Sequence, residues 1–195
     1  KLPKNKELSD VLKNKMAGSQ FIDMLFGAMA SSLGFETRIV YAGDRSKMIF
    51  DPNMTGESFI HPAAIAVKVG EGWMYFNPSL PFLPFGRLVW YEEDVWALTV
   101  GEKSYGWVRT PLLAPESSLS KRTGKFKLLE DGTLEGDAKL EFTGQTALVN
   151  RLDLYDESPA KQEESVKNEI KENISTAEIS EIKIENLNDM TKPLI

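Results

Sequence analysis

From Ile22 through Leu25, Phe26 and Met29 to Leu33, apolar residues recur at helical spacing. That pattern predicts one strong amphipathic helix. Gly18-Ser19 opens it, Gly34 stops it, and Ser19 is placed to cap it. A shorter helix is predicted over Leu8 to Lys15, with Ser9 as its cap. The pattern then changes to strands. Thr37 to Ala42 reads as one, and Ala63 to Val69 and Trp73 to Phe76 read as a hairpin about Gly70-Glu71. Val95 to Val100 and Tyr105 to Thr110 read as two more. The 44–62 segment reads as a polar loop, and Pro78, Pro81, Pro84 and Gly86 break regular structure after the hairpin.

Further on, Lys125 to Leu129 and Leu134 to Phe142 form a second hairpin through Asp131-Gly132. Ser158-Pro159 starts a helix with Val166, Ile170 and Ile174 on one stripe. Ile179, Ile182, Ile184 and Leu187 suggest a last strand. The fold class is therefore α+β. A first domain, 1–115, packs the Ser19 helix on an antiparallel sheet, with Ile22, Phe26, Met29 and Leu33 facing the 63–76 hairpin. A smaller β-rich unit with one helix, 116–195, follows a linker at 111–123.

Composition narrows the function. The 195 residues are 42% hydrophobic and 27% charged, which suits a packed core under a soluble surface. The net charge of −6 argues against nucleic acid as a partner. Residues 1–115 carry 12 Lys+Arg and 12 Asp+Glu, and residues 116–195 carry 11 and 17, so the excess acid lies in the second part. No apolar stretch reaches the ~20 residues of a membrane span. The opening Lys1-Leu2-Pro3-Lys4-Asn5-Lys6 has no initiator Met and no apolar signal region, and reads as part of a longer polypeptide. There is no Cys, hence no disulfide, thiolate metal site or thiol nucleophile. Asp44, Asp51 and Glu57 lack the ligand spacing of a calcium loop, and no metal or cofactor is expected.

Two segments, DVLKNKMAGSQFIDMLFGAMASSLGFETRIVYAGDR and GWMYFNPSLPFLPFGRLVWYEEDVWAL, carry a family signature. Residues 9–100 thereby resemble the bacterial transglutaminase-like domain, which has a papain-like fold. The resemblance implies a Cys-His-Asp triad: a thiolate favoured by a helix N-terminus, a His that takes its proton, and an acid that orients the His. It also implies a β-rich region downstream and an extracytoplasmic, periplasmic setting. Counting back from Gly34, the nucleophile position is Ser19. If Val69 pairs with Gly72, Ala64 lies opposite Asn77, the acid position, and the His position falls on Pro62. The single histidine, His61, is one residue away, and strand side chains alternate faces. A bulge beside Pro62 would restore it.

With a weak nucleophile, a displaced base and a neutral orienter, the expectation is a non-catalytic transglutaminase-like module. It would serve binding or assembly in a larger bacterial envelope protein, with a protein or peptide partner. The rival reading is a residual hydrolase or acyl-transferase using Ser19, His61 and Asn77. A third is a peptide- or sugar-binding groove on the aromatics of 73–96, with Trp73, Tyr75, Phe82, Phe85 and Trp90 as contacts. Glu92-Glu93-Asp94 is read as a solvated turn.

Overall fold

A computed structural model describes residues 4–5, 7–54 and 56–195; of the opening residues, Lys1, Leu2, Pro3 and Lys6 lie outside the described set. The chain divides into two compact units, Lys1–Leu113 and Ala114–Ile195.

In the first unit, α1 (Leu8–Asn14) precedes α2 (Ser19–Ser32). Five strands follow: β1 (Thr37–Ala42), β2 (His61–Val69), β3 (Gly72–Phe76), β4 (Trp96–Val100) and β5 (Tyr105–Arg109). They form one antiparallel sheet in the order β3-β2-β1-β4-β5. The β2–β3 hairpin has the expected register, with Val69 opposite Gly72 and Ile65 opposite Phe76. Pairing β2 with β1 needs an extra residue. Val40 pairs with Ala64 but Tyr41 pairs with Pro62, so Ala63 is a bulge.

Helix α2 packs on the sheet, with the Phe26 ring 5.1 Å from Phe76. Its buried face differs from the expected stripe. Met29 and Leu33 are exposed, and Gly27 is the buried residue of the helix. The reason is backbone proximity: a Cβ on Gly27 would meet Ile65 Cγ2 at 3.3 Å. Close approach centres the contact on Gly27, which turns Met29 and Leu33 toward solvent. Both expected serine caps are also replaced. The backbone N–H of Glu7 bonds the Asp10 side chain at the start of α1, and the N-cap of α2 is Gly18. The opposite sheet face buries Val40, Ala42, Ala64, Ala66, Tyr75, Leu88, Val95 and Ala97.

The second unit holds a two-stranded ribbon, β6 (Ser120–Leu128) and β7 (Leu134–Phe142), then α3 (Gly144–Leu154) and α4 (Pro159–Asn173). It has two α-helices where one was expected. Helix α3 buries Ala147, Leu148, Arg151 and Leu154. Its stripe contains an arginine, so the apolar period that announces a helix is interrupted. Arg151 donates to the carbonyls of Asn186, Leu187, Asp189 and Lys192, and so gathers the 186–192 loop around its guanidinium. The expected last strand is absent. Residues 178–184 make no ladder, and Glu185 pairs its backbone with Ile195. The imperfect alternation of Ile179, Ile182 and Ile184 finds no neighbouring strand.

Candidate functional site

Residues that pair directly across two strands point to one sheet face. Pro62 pairs with Tyr41, and Tyr41 lines a small cleft under α2 with Gln20, Asp23, Met24, Ile39, Ala64 and Ile65. His61 pairs with Ala42, which belongs to the core on the other face. The bulge at Ala63 puts His61 on the same face as Ala64 and Ala42, and that face points away from α2. The cleft holds about 60 Å³, room for roughly two water molecules.

His61 Nε2 lies 3.0 Å from Glu92 Oε1. A 3-10 turn, Trp90–Glu92, carries that carboxylate inward, and Glu92 and Glu93 are both buried, correcting the expectation of a solvated turn. Glu92 Oε2 is buried without a hydrogen-bond partner among the described residues. Burial raises the Glu92 carboxyl above its ordinary value, and outweighs the opposing pull of His61. The hydrogen bond to Glu92 raises His61 above 6.5, against its own partial burial. The two groups together favour holding a proton, so they titrate as a pair.

Asn77 has other partners. Its Nδ2 donates to the Ala63 carbonyl at 3.0 Å, which extends the β2–β3 pairing past Phe76. Its Oδ1 lies 2.8 Å from the Ser79 hydroxyl. Ser79 in turn meets Asp23 of α2, through its backbone N–H at 2.9 Å and its hydroxyl at 3.0 Å. One hydroxyl proton cannot serve both Asp23 and Asn77. The hydroxyl thus chooses between Asp23 and Asn77, while the Ser79 backbone N–H stays on Asp23 and the Asn77 amide on Ala63. Burial raises the Asp23 carboxyl above its ordinary value, against the downward pull of the two Ser79 hydrogen bonds. Asp23 is one turn from Gly27 on the buried side of α2, a polar residue inside a close helix–sheet contact.

Ser19 is the first residue of α2, exposed, and its hydroxyl has no hydrogen-bond partner among the described residues. Of the three residues the resemblance would make a triad, His61 is bonded to Glu92 and Asn77 to Ala63 and Ser79, and neither of them is bonded to Ser19. The residues the sequence pattern did not bring forward are Glu92, Asp23 and Ser79. A charged run after an aromatic pair looks like a turn, and only the fold reveals that it is covered.

The aromatic candidates divide between the sheet faces. Tyr75 is in the core opposite α2, and Trp73 packs beside it with the Arg38 guanidinium 4.3 Å above its ring. Phe85 is 79% exposed and meets Phe76 edge-on at 4.8 Å, on the α2 side. Trp90 is partly exposed, stacked edge-on with Tyr91 at 5.7 Å, and its carbonyl accepts from Arg45. Phe82 is half-buried at a left-handed φ of 62°, an unusual conformation for a bulky side chain.

Among the described residues no three His, Asp or Glu side chains converge to hold a metal ion, and no helix is long and apolar enough to cross a membrane. No protein-family model, curated protein or solved structure matches this chain.

Proposed function

We propose that the first unit is a non-catalytic transglutaminase-like module that serves binding or assembly within a larger bacterial envelope protein. The observation carrying this reading is the register of β2. His61 pairs with Ala42 on the face away from α2, whose first residue is Ser19, while Pro62 pairs with Tyr41 beside the cleft. A hydroxyl nucleophile needs a base within roughly 2.6–3.2 Å, or one bridging water. The one histidine is spent on Glu92, and the Asn77 amide is spent on Ala63. Triad members act as a unit, so the loss of one removes most of the rate gain.

The test is a set of variants assayed on peptide, amide and ester substrates. The parent chain and Ser19→Cys are both expected to be inert, the latter because a thiol alone still lacks a base on its own sheet face. Combining Ser19→Cys with Pro62→His and Asn77→Asp returns all three side chains to the family's positions. Thiol reactivity or slow ester cleavage in that triple variant would support the transglutaminase-like scaffold. A parent activity abolished by Ser19→Ala would overturn the non-catalytic reading in favour of a serine hydrolase.

A further inference from the structure

The β6–β7 ribbon is unusual in how little covers it. All nine residues of β6 are exposed, as are the first six of β7. Its register sorts the side chains into two unlike faces. One face pairs Lys121 with Glu141, Thr123 with Lys139, Lys125 with Asp137 and Lys127 with Glu135. The other pairs Phe126 with Gly136, Leu128 with Leu134 and Gly124 with Ala138, and ends with Arg122 beside Leu140 and Ser120 beside Phe142. Phe126, Leu128 and Leu134 are 54, 70 and 61% exposed. Isolated two-stranded ribbons are marginal in water, and an amphipathic one is a template for a further strand.

The two edges are not equivalent. Beside β7, Leu194 exchanges both backbone hydrogen bonds with Phe142, which blocks that edge at its end. The outer edge of β6 has no backbone partner among the described residues. Strand β6 carries Lys121, Arg122, Lys125 and Lys127 and no acid. A second copy is a poor occupant. Two β6 edges side by side would oppose lysines to lysines, which destabilises strand pairing. A β7 edge offered by another copy is capped by its own Leu194 at Phe142, which shortens the stretch left to pair. Face-to-face packing of two ribbons would bury roughly 300 Å² per copy from strand spacing and rise, well short of the roughly 800 Å² per partner of a stable interface.

We propose that the outer edge of β6 is a docking site for an extended acidic segment of another polypeptide, added as a third strand. Its alternate acids would lie beside Lys121, Lys125 and Lys127, and its intervening apolar side chains would extend the face of Phe126 and Leu128. Strand β7 is an internal precedent, since it meets β6 with Glu135, Asp137 and Glu141 on one face and Leu134, Ala138 and Leu140 on the other. Main-chain hydrogen bonds supply the attachment, and side-chain alternation supplies the selectivity.

The experiment uses the full chain and two synthetic decapeptides, one alternating valine with glutamate and one alternating valine with lysine. The expected result is saturable binding of the glutamate peptide at least about tenfold tighter than the lysine peptide, weakening as salt rises. Amide exchange should slow in β6 residues and not at the β7 edge. Lys125→Glu with Lys127→Glu, both exposed changes, should reverse the preference between peptides. Equal binding of both peptides, no saturable binding of either, or protection of β7 instead of β6 would overturn the proposal. So would concentration-dependent self-association of the chain without peptide, which would give the edge to a second copy.

Discussion

Asp23 and Glu92 in the first unit are carboxyl groups drawn into the packing, and both are raised chiefly by burial. In the second unit Asp131, Glu141, Glu185 and Asp189 stay at the surface beside hydroxyls, amides and lysines, and all four are lowered. For Asp189 the value falls to about 2, through Thr191 and Lys192 first. The same residue types therefore respond to pH in opposite senses. A group raised in the fold contributes stability that is complete below its unfolded value and is lost as pH rises through the folded value. That describes Asp23, Glu92 and also His61, whose window begins near 6.5. A lowered acid contributes stability that is present above its unfolded value and is lost as pH falls through the folded one. That describes the four acids of the second unit, and also Glu36, Asp44 and Asp94 of the first, which are solvent-screened pairs of small weight. Charge placement thus separates a unit that gathers acids inside from one that displays them.

The largest expected disruption of this contrast is Arg151→Met. It would leave four carbonyls of the 186–192 loop without their donor, at a cost of about 3 kcal/mol or more to the second unit. The effect can be read separately, because all four tryptophans, Trp73, Trp90, Trp96 and Trp107, lie in the first unit. Urea titration should show the circular dichroism transition moving down while the tryptophan fluorescence transition stays in place. Coincident shifts of both probes would mean that the units unfold as one.

Gly27→Val is expected to act on the other unit, by roughly 2 kcal/mol of overpacking, because even a Cβ meets Ile65 at 3.3 Å. Here the fluorescence transition should move and the second unit should not. A variant as stable as the parent would show that α2 can shift away from β2.

A subtler change sharpens the pH comparison. Asp23→Asn removes the half-buried titration beside Ser79, and Glu92→Gln removes the buried titration beside His61. Each should flatten the fall in first-unit stability as pH rises from acidic to neutral, followed by fluorescence-detected unfolding across that range. An unchanged pH slope in the double variant would mean that other groups set it. Smallest of all is Ser19→Ala. The hydroxyl is exposed and Gly18 is the cap, so stability should stay within about 0.5 kcal/mol of the parent.

Much of the first unit was legible in the chain. Helix α2, the strands and the β2–β3 register follow from apolar spacing, Gly34 and the Gly70-Glu71 turn, because these are local rules with short reach. The same spacing misjudged which side of α2 is buried. Gly27 has no side chain to register as apolar, yet its lack of one lets the helix approach Ile65. In the second unit α3 escaped notice because its buried stripe includes Arg151, whose acceptors lie more than thirty residues away in the chain.

The candidate site divides along the same line. Sequence alone determined that there is no thiol, that one histidine exists, and that Asn77 lies one step past Ile65 and Phe76 in the hairpin. Composition and a single turn are enough for those statements. Only the tertiary structure decided what these residues touch. The bulge at Ala63 is a relation between β1 and β2, and neither strand encodes it by itself. The burial of Glu92 depends on a turn folding back over β2, and the Asp23–Ser79 link joins residues that stand far apart in the chain. Proton placement follows from such contacts, because desolvation and hydrogen bonding act through space and not along the backbone.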